Sequence, residues 1–357
     1  MLRGLGLMSG TSLDGIDVAL IETDGEGATR AGPAITVPYE RRLREALRAC
    51  LTPATRPSDL GPIVKDLTRT HAAAIKVYCD KYSVNIYEID VIGFHGQTIE
   101  HRPDLGRTWQ IGDGALLASN MGRPVVSDFR SADVAAGGQG APLVPLYHQA
   151  LASGLEKPLA VLNIGGVANV TWLGHDDAIL AFDTGPGNAP LDDWVLASTG
   201  APFDRNGELA SLGRPDRALV DRFLAHPFFA RRPPKSLDRQ DLPIRPAEGS
   251  LSDGAATILE GIAQSVVAAL PHFPERPRRW LITGGGRRNL ALMARLAQLL
   301  GRVEAVESVG WQGDFLEAQA FAYLAVRRLR GLPTSVPETT GCRSPTVGGT
   351  FWPAPSP

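Results

Sequence analysis

Cysteine is scarce, and the three present, Cys50, Cys79 and Cys342, are odd in number and far apart. That pattern excludes a disulfide framework and a zinc site built from paired cysteines. A basic excess is missing too. Lys plus Arg total 36 against 38 for Asp plus Glu, a net charge of -2, whereas nucleic-acid binders and polybasic membrane adaptors carry a basic stripe. No apolar run reaches the roughly 18 residues of a membrane span. Asp14 and Asp17 interrupt the N-terminus before a signal-peptide core can form. Metal-ligand spacing is absent among the seven histidines, of which His95 and His101 are the one close pair. No Gly-Lys-Ser or Gly-Lys-Thr occurs, and Gly4-x-Gly6 lacks the third glycine of a dinucleotide fingerprint. These absences leave a soluble protein of a reducing compartment with no nucleic-acid or membrane partner.

What is present is ordinary globular composition, 43% hydrophobic and 21% charged, over a length that suits two domains. Short β-branched or apolar runs predict strands at Leu2–Met8, Ile16–Glu22, Asp90–Phe94, Pro124–Ser127, Leu159–Ile164, Asn169–Leu173, Ile179–Phe182 and Trp280–Thr283. Longer periodic segments predict helices near 40–51, 59–82, 112–121, 143–153, 188–199, 253–271, 289–300 and 314–330. The class is α/β. An internal echo adds to this. LGLMSGTSLDGIDVALI and LAVLNIGGVANVTWL share a strand, small-residue loop, strand plan, and each is followed by a strand ending in a polar loop (DVIGFHGQT and AILAFDTGPGN). Two echoes in the same order predict a duplicated domain rather than a solenoid.

The glycines, 39 in all, cluster after apolar runs, where they line loops. In Met8–Asp17, Gly10 and Gly15 free the backbone to turn consecutive N–H groups toward an anion, and Thr11 and Ser12 add hydroxyls. Asp14 or Asp17 can hold a hydrated Mg2+ against phosphate oxygens, with Asp14 the candidate. The ordinary alternative is a polar hairpin turn. A Walker or dinucleotide loop would run into a helix, but this one runs into the strand pattern IDVALIE. A phosphate-gripping hairpin used twice points to the actin-like architecture. Gly10 through Asp17, with Leu13 and Ile16 between, and Gly165, Gly166 and Asn169 of the second hairpin are the phosphate candidates. Gly284, Gly285 and Gly286, after a buried-type strand, allow close approach of an adenosine; the alternative is a helix-entry turn.

Asp183 leaves an apolar strand in FDTGPGN, a position where a carboxylate needs partners and where desolvation suits it to a base. The alternative is a loop cap. Asp192 and Asp193 read as helix-surface residues. His95, Gln97 and Thr98 of HGQT and Arg130 of SDFR end predicted strands and are candidates for substrate contacts, Arg130 by forking onto a carboxylate. Lys235 and Ser236 lie in the Pro- and charge-rich stretch 230–250, a long loop able to close over a ligand.

Taken in order, MSGTSLDGID, GFHGQT, SDFRSADVAAGGQGAPLVP, NIGGVAN, FDTGPGN, PPKSLDRQDL, ITGGGRRN and EAQAFAYLA resemble the successive motifs of the anhydro-N-acetylmuramic acid kinases, from Met8 to about Gly349. Departures are Leu242 where an aromatic is usual and Cys342 where alanine is expected. The resemblance implies a two-domain actin-like kinase, a duplicated ribonuclease H-like fold with ATP in the interdomain cleft. The expected domains are 1–130 with 331–357, and 131–330. It implies ATP and Mg2+ as cofactors, a 1,6-anhydro amino sugar as substrate, a cytoplasmic location and a homodimer. Asp183 is then the base that activates water, Arg130 pairs with the sugar's lactyl carboxylate, and His95, Gln97, Thr98 and Glu317 contact the sugar. Rivals are an ordinary actin-like sugar kinase, a non-catalytic actin-like ATP-binding or filament protein, and a glycoside hydrolase that needs no ATP.

Overall fold

The structure, a computed structural model, describes residues 1–10, 12–237, 241–246 and 249–355. Among the described residues thirteen strands run in chain order as β1 (Leu2–Met8), β2 (Gly15–Thr23), β3 (Thr29–Pro38), β4 (Val91–Phe94), β5 (Gln97–Arg102), β6 (Arg107–Ile111), β7 (Val125–Ser127), β8 (Leu159–Ile164), β9 (Val167–Leu173), β10 (Ile179–Pro186), β11 (Arg279–Thr283), β12 (Val303–Ala305) and β13 (Thr350–Trp352).

Two compact units result, one of Met1–Gly154 with Phe315–Pro357 and one of Leu155–Asp314. The first unit's sheet has the order β13-β7-β4-β1-β2-β3, and the second's β10-β9-β8-β11-β12. In the first, β1, β2 and β3 are antiparallel neighbours while β4 and β7 continue parallel on the other side of β1. In the second, β8, β9 and β10 repeat the antiparallel part and β11 and β12 the parallel part. Matching strand for strand, with β1 equivalent to β8, the two sheets share one topology; β13 is an added edge. That order is ribonuclease H-like, and its repetition is the actin-like fold. The sequence echo is therefore a structural duplication.

Each sheet is covered by the apolar faces of helices. Leu5, Leu7, Val18 and Ile92 join Leu67, Ile75 and Leu117 in the first core, while Leu162, Val170, Phe182 and Ile282 join Ile258, Ile262, Leu292 and Leu296 in the second. The helix Leu316–Leu329 lies close on the first sheet. A Cβ on Gly6 would fall 1.7 Å from the Ala318 carbonyl oxygen, and one on Gly93 2.1 Å from that of Phe321. This helix was expected in the second domain, and the expected division at 130 and 330 is displaced to 154 and 314.

One sequence reading needs correction. The segment Leu251–His272 is long and apolar enough to cross a membrane by length and mean hydropathy. Its helix is 67% buried over the most apolar window, and Ile258, Ile262 and Val266 belong to the second unit's core. Core packing accounts for its composition.

Candidate active site

The first hairpin connects β1 to β2 through Ser9–Asp14. Its tip is fixed by Leu13, buried in the core with a left-handed φ of 57° and its N–H donating to the Gly10 carbonyl at 3.2 Å. A branched residue takes that conformation only where packing holds it. Ser12 and Asp14 stay exposed, and Gly10 is half-buried. Asp14 makes no hydrogen bond or ion pair with the described residues, whereas Asp17 accepts a hydrogen bond from the Thr36 hydroxyl on β3. Gly15 and Ile16 are buried, and a Cβ on Gly15 would sit 2.6 Å from the Val37 carbonyl oxygen. Of the loop residues expected to meet phosphate, the described ones open to solvent are Ser12 and Asp14, with Gly10 and Asp17 half-buried. Thr11 lies outside the described residues.

Behind the loop runs a buried relay absent from the sequence reading. The Tyr39 hydroxyl donates to Ser9 Oγ at 2.8 Å, and Ser9 donates to Gln97 Oε1 at 2.7 Å. Gln97 is fully buried, so its side chain holds the loop from within; Thr98, next on β5, is partly exposed.

His95 and Arg130 come together. Nε and Nη2 of Arg130 lie 3.2 and 3.0 Å from His95 Nε2, and Nη1 donates to the Gly140 carbonyl at 2.7 Å. Arginine offers only donors, so His95 Nε2 is the acceptor and Nδ1–H donates to the Gly96 carbonyl at 2.9 Å. Burial first, and Arg130 second, hold His95 well below the usual histidine pKa. Burial lowers Arg130 to about 10, opposed by the charges of Glu317 and Asp133, so it remains a cation. Glu317, in the first turn of the helix Leu316–Leu329, is half-buried within electrostatic reach of Arg130. Asp133 was missed from the sequence: its buried carboxylate accepts from the Gly140 N–H at 2.7 Å and the Thr340 hydroxyl at 2.6 Å, fixing the carbonyl that Arg130 uses.

In the second unit three small-residue segments converge at the ends of β8, β10 and β11. The Asn188 and Gly187 N–H groups donate to the carbonyls of Gly165 (2.7 Å) and Gly166 (3.0 Å). A Cβ on Gly187 would stand 2.2 Å from the Gly165 carbonyl oxygen, and one on Gly284 2.4 Å from Asn163 Oδ1. Gly284 has a φ of 73°, and Gly286 packs against Ile164. In an open α/β sheet, strand ends of this kind are where ligands bind.

Asp183 occupies β10, and the register sets it opposite Asn169, itself opposite Asn163. Its backbone N–H donates to the Lys235 carbonyl at 3.0 Å, and its Oδ2 accepts from the Leu237 N–H at 2.8 Å. The carboxylate is half-buried. Lys235, expected to close over a ligand, is 3% exposed and turned into the protein. Leu242, a departure from the family pattern, fills a small cluster with Phe228 and Phe229, so an aliphatic side chain satisfies that site. Cys342 is buried, and its thiol donates to the Ser344 carbonyl at 3.2 Å.

Comparison with known proteins identifies the family. The model of the anhydro-N-acetylmuramic acid kinase family matches residues 2–354. The chain belongs to the anhydro-N-acetylmuramic acid kinase family. Relatives carrying that name are 55% identical in Paramagnetospirillum magneticum, over 98% of this chain and 99% of the relative, and 55% identical in Acidiphilium cryptum, over 98% and 97%. Among solved structures, a ROK family glucokinase from Streptomyces griseus with glucose and AMPPNP aligns over 91% of this chain and 98% of its own. Its identity is 11% and its TM-score 0.40; the fold assignment rests on strand order instead. As a member of this kinase family the chain is a phosphotransferase that uses ATP.

Proposed function

We propose that the protein couples hydrolytic opening of 1,6-anhydro-N-acetylmuramic acid to its phosphorylation by ATP, giving N-acetylmuramic acid 6-phosphate for cell-wall recycling. The observation that carries this reading is the carboxylate of Asp183 in β10, half-buried and accepting at Oδ2 from the Leu237 backbone amide. An inverting opening of a glycosidic bond needs a base for water and an acid for the departing oxygen. When the departing oxygen takes the γ-phosphoryl group, no acid is required. Asp183 accepts a proton from water, the water oxygen bonds to C1 as the C1–O6 bond breaks, and O6 takes the phosphoryl group as ADP leaves.

The remaining barrier falls to positioning and charge neutralisation. The loops at Gly10–Asp14 and at Gly165–Gly166 supply backbone donors to the phosphates, and Gly284–Gly286 admits the adenosine. A Mg2+ ion would neutralise phosphate charge. Asp14, exposed and unpaired among the described residues, fits a hydrated ion better than Asp17, whose carboxylate Thr36 already occupies. Arg130 takes the lactyl carboxylate, with Thr98 and Glu317 near the sugar; His95 and Gln97, both buried, act by holding Arg130 and Ser9. A cytoplasmic homodimer belongs to the same reading.

The test is to incubate the protein with Mg-ATP and the anhydro sugar and weigh the sugar product. A gain of one phosphoryl group plus one water is expected. Phosphate without water would make the protein an ordinary sugar kinase, and no sugar-dependent turnover would favour a non-catalytic ATP-binding protein.

A further inference from the structure

We infer that Lys235 is a positioning residue that fastens the segment 232–237 so that its backbone grips Asp183 at two points. The inference rests on the reading of Asp183 as the base.

The Lys235 ammonium is almost wholly buried. Nζ donates to the Phe228 carbonyl at 3.0 Å and the Phe229 carbonyl at 3.2 Å, and lies 3.3 Å from His272 Nε2. It also sits over the rings of Phe228 (4.5 Å to the centroid) and Phe182 (5.5 Å), where the aromatic faces attract a cation. Phe182 is the residue before Asp183. The side chain is thus tied to the turn at Phe228–Phe229 and to the strand that bears the carboxylate.

From that anchor the backbone reaches Asp183 on both sides. The Lys235 carbonyl takes the Asp183 N–H, and two residues on the Leu237 N–H donates to Oδ2. Leu237 is itself held in the apolar cluster of Phe228, Phe229 and Leu242. The two gripping groups therefore sit on one short segment whose ends are pinned by Lys235 and Leu237.

A methionine would fill the same space without desolvating a charge, so packing alone does not call for lysine. The charged groups facing Nζ are Arg231, which repels it, and Asp183, which attracts it, with titratable His272 in contact. Burial first, then Arg231, lowers the lysine to about 8. It is still mostly a cation at neutral pH.

The experiment is a double-mutant cycle of Lys235→Met and Asp183→Asn in the full-length protein, with steady-state and single-turnover rates and with thermal unfolding as a folding control. Lys235→Met is expected to lower kcat about ten- to hundredfold, the effect of misplacing a reacting group, while both Michaelis constants stay within about twofold. In the Asp183→Asn background it should add less than about twofold, because the group it positions is gone. Equal slowing in both backgrounds, or a normal kcat for Lys235→Met, overturns the role of Lys235 while leaving Asp183 as the base. Normal turnover of Asp183→Asn alone overturns the base reading itself. Should Lys235→Met fail to fold, Lys235→Gln, which keeps an N–H donor, replaces it in the same cycle under the same criteria.

Discussion

Arg130 turns three of its five N–H donors inward, two onto His95 and one onto the Gly140 carbonyl. A guanidinium fixed on these partners is pre-set for a carboxylate, because little freedom remains to be lost on binding. Arg130→Ala should therefore raise the Michaelis constant for the acidic sugar roughly ten- to hundredfold, the worth of a hydrogen bond to a charged group. The constant for ATP should stay put. Steady-state kinetics with each substrate varied in turn checks this, and a change confined to ATP would remove Arg130 from the sugar site. The pairing with His95 was not legible in the sequence, because the two residues lie 35 positions apart and nothing in HGQT or DFR marks them as partners. Arg130 and Asp183 stood out in the sequence, since charges at or just beyond apolar strands demand a reason. Lys235 misled: a lysine among prolines reads as a mobile surface residue, and only the fold reveals aromatic rings around it.

At the level of elements, the strands that make up the two repeated hairpins were readable from apolar runs and small-residue loops. The edges were not. Strand β3 contains Gly32 and Pro33 and leaves most of its residues partly or fully exposed, so it carries little of the apolar signal that reveals a buried strand. HGQT was expected to end a strand, yet β4 stops at Phe94 and Gln97 opens the β5–β6 hairpin. Gly96 makes that turn at a φ of 72°, with the Ile111 carbonyl oxygen 2.4 Å from where a Cβ would be. Short β12 and β13, three residues each, complete sheet edges and have no periodicity to detect. The convergence of Gly165–Gly166, Gly187–Asn188 and Gly284–Gly286 gives a test at this scale. Gly187→Ala places a methyl group against the Gly165 carbonyl, and the contact is backbone on backbone, so one of the two loops must shift. ATP affinity should fall at least tenfold and the unfolding temperature should drop, since overpacking costs about 1–3 kcal/mol. Calorimetric titration with a non-hydrolysable nucleotide decides it, unchanged affinity meaning that these loops do not hold the phosphates.

Across the whole molecule, buried histidines are confined to the first unit. Burial lowers His71 and His101 to about 4 and His148 to about 3, and takes His95 well below its ordinary value. In the unfolded chain each titrates near 6.5. Above that pH both states are neutral and stability is at its full value. As pH falls from about 6.5 toward 4, the unfolded state gains protons the native state refuses, and each histidine removes about 1.4 kcal/mol per pH unit. The first unit should lose stability steeply on mild acidification. Calorimetry between pH 7 and 5 checks this, and an unfolding temperature that does not move would show that these rings protonate in place.

The division of the chain also bears on how the protein is made. The second unit is one unbroken stretch, Leu155–Asp314, which in sequence falls between the two segments of the first. Every strand of the repeated second sheet has been synthesised before Phe315 is added. The first unit at that moment still lacks the helix against which Gly6 and Gly93 are shaped, and the strand that closes its sheet beside β7. Domains fold as units while synthesis proceeds. The half of the protein begun first is thus finished last, and a nascent chain halted near Asp314 holds every residue of the second unit while its N-terminal sheet still has a bare glycine-lined face.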